Sequence, residues 1–318
     1  MNNATLKKTL VPEDSECLVV MYHYVRPEYT GEGLFGVTPK EFENQILALK
    51  STYTILHPHD FISCIRNETS LPRKSCLLTF DDGLKDHVNY VAPILSSHKA
   101  SGIFFVLSKP LAENKMVEIH KIHLLRQKIG ETSFREKMTE RLPADMVGDH
   151  YQETASSDVE HGYVWDRDDV AQFKAFLNYR LPYPALEMAV AGLFAEHFDD
   201  EPECCREFYL ASRDITEMEQ AGMVFGGHGH GHKIYSRMDA GEQERDIDAN
   251  LSFLKNEIGV SVKTFAYPFG QRSTFDQHTI EHLVKRDIFC AFSTSRGAVD
   301  REDGLYALKR IDPKDIPC

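Results

Sequence analysis

The stretch that most restricts this chain is Cys76-Leu77-Leu78-Thr79-Phe80-Asp81-Asp82-Gly83. A short apolar run bounded by a turn pair reads as a buried strand. Two carboxylates at the mouth of such a strand are costly to hold unless a metal ion or hydrogen bonds compensate them. Neighbouring residues of a strand point to opposite faces, so Asp81 and Asp82 meet different surroundings while strand geometry persists. Where the chain turns at Gly83, the two can take different tasks around one site. Asp-Gly is also ordinary turn chemistry, and an acidic turn closing a strand requires no function at all.

The segments on either side extend this unit into a repeating pattern. A helix is expected over Leu84 to His98 and a buried strand over Gly102 to Val106, which with the first strand makes a right-handed βαβ unit. Earlier in the chain, Leu18 to Val25 reads as a strand ended by Arg26-Pro27, and a loop with Gly31, Gly33 and Gly36 follows it. Thr38-Pro39-Lys40-Glu41 opens a helix to about Lys50, with Thr38 as N-cap, Pro39 at the first position and Glu41 closing a capping box. Tyr53 to Leu56 reads as a short strand, and Asp60 as the cap of a short helix to about Ile65. From about 110 to 213 the pattern lapses into a mostly helical insertion (Lys121 to Lys128, Asp168 to Leu177, Pro184 to His197) with an acidic loop near Ser156 to Glu160. A structureless loop of that length would be improbable. A helix starting at Asp214 or Thr216 restores the rhythm. Strands are expected at Met223 to Phe225, Thr264 to Tyr267, Phe289 to Ser293 and Leu305 to Ile311, with helices at Gly241 to Ile258 and Phe275 to Lys285. Six or seven βα steps in 318 residues favour an α/β barrel over an open sheet, in one domain spanning 1–318. Asp81, Asp82, His228 and Tyr267 all fall at or just past predicted strand ends, where the sites of such barrels gather.

Composition narrows the partners. With 42% hydrophobic and 27% charged residues the chain is globular rather than disordered. A net charge of −13 argues against nucleic acid or an anionic membrane as the main partner. The seven cysteines are odd in number, form no CxxC and sit mostly in apolar runs, which suits reduced thiols. Cys204-Cys205 as a redox or metal pair is the lesser reading. Met1 to Glu16 is polar and the first apolar run, Leu18 to Met21, is far too short for a signal or spanning helix, so a cytoplasmic location is expected.

Gly226-Gly227-His228-Gly229-His230-Gly231-His232 is the second informative stretch. Imidazoles with a carboxylate suit zinc and related ions and leave positions open for water and substrate. His228 and His232 meet on one face if the tract coils into a turn. In an extended tract, His228, His230 and His232 would share a face and His230 would be the third candidate ligand. A flexible surface loop that takes metal only adventitiously is the plain alternative.

Taken together, Thr79-Phe80-Asp81-Asp82-Gly83, the histidine tract and Phe265-Ala266-Tyr267-Pro268-Phe269-Gly270 resemble the polysaccharide deacetylases, the NodB homology domain of carbohydrate esterase family 4. Met21-Tyr22-His23 and Leu308-Lys309-Arg310-Ile311 also look like that family, while the helical insertion lies outside the resemblance. The resemblance implies a distorted (β/α)7 barrel and metal-dependent removal of an N-acetyl group from a sugar. Asp82, His228 and His232 would bind a divalent metal, commonly zinc, and Asp81 would be the catalytic base. The Phe269 N–H could help hold an oxyanion. Tyr267, Pro268 and Phe269 would contact the sugar, unless they are ordinary packing at the barrel mouth.

Two departures from the family's pattern stand out. The third motif usually carries an arginine that orients the base, where this chain has Ala266. The last motif usually supplies a histidine as general acid, and Leu308-Lys309-Arg310 offers none. His23 is the candidate acid, against a buried structural histidine. Arg310 either binds an acidic group of the substrate or orients Asp81, with a structural ion pair as the plain alternative. His57, His59, His120 and His123 receive no role. The expected function is therefore metal-dependent N-deacetylation of an acetamido sugar or of a nucleotide- or lipid-linked glycan precursor, with the insertion shaping the mouth. A deformylase or other small-amide hydrolase, and a non-catalytic sugar-binding or metal-sensing protein, are the alternatives.

Overall fold

The last strand returning to the first decides the architecture. In the computed structural model, which describes residues 17–27, 33–34, 36–67, 69–143, 146, 168–299 and 304–316, the strands are β1 (Cys17–Tyr22), β2 (Tyr24–Val25), β3 (Gly36–Val37), β4 (Thr54–Ile55), β5 (Ser75–Phe80), β6 (Ile103–Val106), β7 (Val224–Gly227), β8 (Thr264–Ala266), β9 (Cys290–Arg296) and β10 (Leu308–Arg310). The expected acidic loop near Ser156 to Glu160, the polar segment Met1 to Glu16, Gly31 and Cys318 lie outside the described residues. The main sheet runs β1-β5-β6-β7-β8-β9-β10 with every neighbour parallel. Just past β10, the Met21 N–H donates to the Ile311 carbonyl at 3.0 Å and the Ile311 N–H to the Val19 carbonyl at 2.8 Å. Those bonds bring the two ends of the sheet together, giving a nearly closed, barrel-like sheet of seven strands. The short β4 pairs with the opening residues of β5, and β2 pairs with β3 apart from the main sheet.

Strand periodicity sorts the side chains into two cores. Cys17, Val19, Leu77, Ile103, Phe105, Ala266, Phe292 and Leu308 form the interior set, joined by Phe61 from helix Pro58–Arg66. The alternate residues Leu18, Val20, Leu78, Phe80, Phe104 and Val106 face outward onto Phe42, Ile46 and Leu49 of helix Pro39–Thr52 and onto Ile215 and Met218. Each such side chain contributes about 1.5–3 kcal/mol on burial.

The described residues fall into two compact units, one within Met1–Glu28, Gly36–Asn114 and Arg206–Cys318, the other within Tyr29–Phe35 and Lys115–Cys205. The first holds the barrel and every candidate site residue. The second includes helices Glu118–Ile129, Glu131–Arg141, Asp168–Ala175 and Tyr183–His197, and has buried side chains of its own, among them Leu125, Phe134, Phe173 and Leu193. Sequence patterning places the helical insertion at about 110 to 213 and gives no sign that Gly33 and Leu34 group with it. Among the described residues no helix is long and apolar enough to cross a membrane.

Local chemistry accounts for where the observed elements depart from expectation. The expected strand Leu18 to Val25 breaks at His23: Tyr22 is the last residue in register with Phe80, and Tyr24 and Val25 pair with β3 instead. Thr38 and Glu41 form the expected capping box. Asp60 is not the cap of its helix; His57 is, its ring accepting from the His59 N–H at 3.3 Å with Pro58 at the first position. The helix placed at Asp214 or Thr216 begins at Ser212, and Asp214 reaches back to accept the Ala211 N–H at 2.8 Å. Inside the expected helix Leu84 to His98 the ladder widens to a π turn at His87–Val91, where Ala92 donates to the His87 carbonyl. Pro93 lacks the N–H that an α-register would need at the next step.

His87 lies wholly buried against the outer face of the sheet. Its ring packs edge-on against Phe80 and Phe104, and Nε2 donates to the His23 carbonyl at 3.1 Å. Among the described residues Nδ1 has no partner. Burial pushes the imidazole down to about 4, the His23 bond and the nearby acids opposing it. The folded state therefore refuses a proton that the unfolded chain takes up below about 6.5. Stability from this group is complete above that pH and is lost as the pH falls toward 4, by about 3 kcal/mol in all. Urea unfolding of the metal-free protein at pH 7 and pH 4 tests this: the drop should be smaller in His87→Gln than in the wild type by roughly that amount.

Candidate active site

Asp81 enters the barrel interior because it continues the inward parity of Leu77 on β5, as Arg310 continues that of Leu308 on β10. The two meet in a bidentate pair, Nη1 to Oδ1 at 2.7 Å and Nη2 to Oδ2 at 2.8 Å, with Asp81 2% and Arg310 1% exposed. Arg310 Nε donates to the Ser293 carbonyl at 2.9 Å, and Nη1 reaches the Thr79 hydroxyl at 3.4 Å. Burial by itself would raise the Asp81 carboxyl, but the charge of Arg310, reinforced by His228 and His23, outweighs it and holds the group below the ordinary carboxylate range. Asp81 is thus ionised and held in one orientation. Of the two roles read for Arg310, its buried guanidinium is spent on orienting Asp81 and not offered to a substrate. Ala266 stands where the third motif usually carries an arginine, and the guanidinium that meets Asp81 comes from β10.

His23 follows β1 and turns its Nε2 to 3.7 Å from Asp81 Oδ2, with 38% of its side chain exposed. Its carbonyl is fixed by His87, so the ring is both anchored and open to solvent.

Asp82 leaves strand geometry with φ +76. Gly83 follows in the same left-handed region, and a Cβ there would meet Val106 Cγ1 at 3.1 Å. This turn swings the second carboxylate toward the histidine tract. His228 Nε2 lies 3.3 Å and His232 Nε2 3.4 Å from Asp82 Oδ1. Among the described residues these three form the only group of His, Cys, Asp or Glu whose ligand atoms all fall within 4.8 Å of one another. A tetrahedral ion with bonds of about 2.0–2.1 Å separates its ligand atoms by roughly 3.3 Å, so the donor set and its spacing fit a zinc-like ion. His228 Nδ1 donates to the Ala266 carbonyl at 2.7 Å, which fixes the tautomer and leaves Nε2 to face the site. The tract is a turn and not an extended strand: Gly229 has φ +79 and His232 φ +54. His230 therefore points away from the cluster, with Nδ1 2.9 Å from Ser108 Oγ and Nε2 2.9 Å from Glu113 Oε1.

The third motif divides. Phe269, at φ +61, sets its ring 5.1 Å from that of His232, beside the cluster. Tyr267 is no wall for a sugar. Ala266 takes the inward position on β8, so Phe265 and Tyr267 face outward. The Tyr267 ring stacks on Phe275 at 3.7 Å, and its hydroxyl donates to the Tyr306 carbonyl at 3.0 Å. Pro268 is buried between them. Sequence reasoning passed over Asp246, whose carboxylate holds the histidine turn; nothing in the helical pattern around it marks it as different from its neighbours.

The polysaccharide deacetylase family profile matches residues 68–156 and 193–285, more than half of the chain. YxkH of Bacillus subtilis (strain 168), a polysaccharide deacetylase homologue, is 23% identical over 134 residues, which are 42% of this chain and 46% of that protein. The match thus spans about half the length of that relative. Among solved structures, the Streptococcus pyogenes deacetylase PplD in complex with acetate is similar with a TM-score of 0.58 at 16% identity, covering 94% of this chain and 95% of that one. IcaB from Ammonifex degensii gives the same score and identity over 94% and 91%. At such identities the likeness is one of fold, and it extends across nearly the whole chain. On the family match, the chain belongs to the polysaccharide deacetylases.

Proposed function

We propose that this protein is a metal-dependent hydrolase that removes the acetyl group from an acetamido sugar. The observation carrying the reading is the pairing of two unlike carboxylates on one turn. Asp81 is buried, ionised and clamped by Arg310, while Asp82 sits 3.3 and 3.4 Å from two imidazole nitrogens. Asp82, His228 and His232 would hold the ion, zinc being our choice, which when bound polarises an amide carbonyl and eases ionisation of water. Asp81 takes the proton from the attacking water; Arg310 engages both its oxygens and fixes the carboxylate, and Oδ2 also lies near His23. His23, partly exposed and 3.7 Å from Asp81, delivers a proton to the departing amine nitrogen. Phe269 supplies an apolar edge beside His232, and its backbone N–H is the proposed oxyanion donor. We place the reaction in the cytoplasm, on a nucleotide- or lipid-linked glycan precursor; the odd, dispersed cysteine complement supports that location.

Acetate release and bound metal, measured together on acetamido sugars and nucleotide sugars, test the reading. Asp81→Asn should lose activity by 10²-fold or more, on the scale of a general base, with stoichiometric metal retained. His232→Ala should lose the metal itself. Retained metal with formate but no acetate released from matched amides would favour a deformylase. Hydrolysis unaffected by Asp81→Asn would sink the mechanism.

Two further variants separate orientation from proton transfer. Arg310→Met leaves a buried carboxylate uncompensated, so it should cost about 3–5 kcal/mol in urea unfolding besides its effect on rate. His23→Asn should lower kcat by about 10²–10⁴-fold with stability and metal content near wild type.

A further inference from the structure

The His-Gly-His-Gly-His turn closes around one carboxylate. Asp246, on helix Ala240–Phe253 and 8% exposed, accepts the His230 N–H at Oδ1 and the Gly231 N–H at Oδ2, both at 2.9 Å. Its Oδ1 also accepts the Tyr235 hydroxyl at 2.9 Å. No lysine, arginine or histidine side chain pairs with it among the described residues, so its charge is met by three hydrogen bonds from the segment it holds. A buried carboxylate so satisfied is costly to disturb, because each donor left without it loses its acceptor in a place that water does not reach.

The spacing of the tract follows from this contact. A Cβ at Gly229 would lie 2.7 Å from Asp246 Oδ1 and 2.5 Å from the Tyr235 hydroxyl. A side chain there would drive the carboxylate off the turn even if it could adopt φ +79. Two more bonds tie the same turn to the end of β6: the Ser108 N–H donates to the Gly229 carbonyl at 3.3 Å and the Lys109 N–H to the His230 carbonyl at 3.1 Å. One helical turn beyond Asp246, Asn250 donates to the Val106 carbonyl at 2.9 Å, and Val106 is the residue against which Gly83 packs behind Asp82. A single helix therefore braces both loops that carry the Asp82, His228 and His232 side chains.

We propose that Asp246 is a positioning residue for the metal site: by gripping the backbone between His228 and His232 it sets the spacing of their Nε2 atoms, and with it the affinity for a divalent ion. The proposal rests on the metal-site reading above. Outer contacts of this kind change metal affinity by about 10–100-fold when removed. In Asp246→Asn the amide turns an NH₂ toward backbone or hydroxyl donors, leaving at least one of them without an acceptor.

Metal-free wild type, Asp246→Asn and Tyr235→Phe would be titrated with Zn²⁺ in competition with a chelator and with Co²⁺ followed by its visible d–d spectrum, alongside thermal melts of each metal-free protein. The expected result is a 10–100-fold weaker Kd for Asp246→Asn and a changed Co²⁺ spectrum, at temperatures where the metal-free variant is still folded. Tyr235→Phe, which removes one donor and leaves both backbone bonds, should weaken binding by about threefold, within the net worth of one hydrogen bond. Wild-type affinity and spectrum in Asp246→Asn would overturn the proposal, as would a lowered melting temperature with an unchanged Kd. If Asp246→Asn does not fold, an unchanged Kd in Tyr235→Phe overturns it instead. Failure of the wild type to bind either ion would overturn the metal-site reading together with this one; normal wild-type binding with an indifferent Asp246→Asn overturns this one alone.

Discussion

The buried pair between Asp81 and Arg310 is the interaction on which the site depends, because it joins the ends of two strands that lie far apart in the chain. An ionised carboxylate at the end of β5 is tolerable only with a cation fixed against it, and the cation arrives from β10, two strands away around the closed sheet. Arg310 can reach it because Ile311 has been drawn against Val19 and Met21, which sets the height of β10 relative to β1 and so to β5. The contacts that bring β10 to β1 also place the guanidinium that orients Asp81. The Ser293 carbonyl on β9 and the Thr79 hydroxyl on β5 take further N–H groups of Arg310.

Around this fixed point the loops at the strand ends are held in conformations that side chains ordinarily avoid. Asp82, His232 and Phe269 all have positive φ, at +76, +54 and +61, and all three face the same site. Each such residue costs on the order of 1–3 kcal/mol and persists only when its surroundings over-determine it. Those surroundings are visible: Gly83 against Val106, Asp246 under the histidine turn, and the Thr294 hydroxyl on the Phe269 carbonyl at 3.0 Å. The strain has a use. A left-handed residue directly after strand residues turns a side chain that would point to the helices back toward the barrel mouth, which is how adjacent Asp81 and Asp82 serve one centre from different directions.

The strands and helices were largely legible because hydrophobic period and caps are local signals. The Thr38 to Glu41 box is written in four consecutive residues and forms as written. Signals that depended on parity were read less well. Tyr267 and Phe269 look alike in sequence, yet the small Ala266 fixes the inward face of β8 and sends Tyr267 into the packing around Phe275. A carboxylate is the commoner cap, so the sequence points to Asp60, whereas Pro58 starts the helix one residue after an imidazole able to accept.

Residue order alone carries the type of chemistry available: two adjacent carboxylates on a strand end, histidines spaced by glycines, and a repeating βα order that brings strand ends to one mouth. It could not assign partners across the barrel, since nothing in Leu308-Lys309-Arg310 says which strand end the arginine will meet. Tertiary structure decided that Arg310 orients Asp81, that His230 turns outward to Ser108 and Glu113, and that Asp246 holds the turn between the two other histidines. The physical reason is the range of the forces. Periodicity and turn chemistry act over a few residues, whereas the pairing of buried charges is settled only once closure of the sheet has brought distant residues into a medium where neither can remain alone.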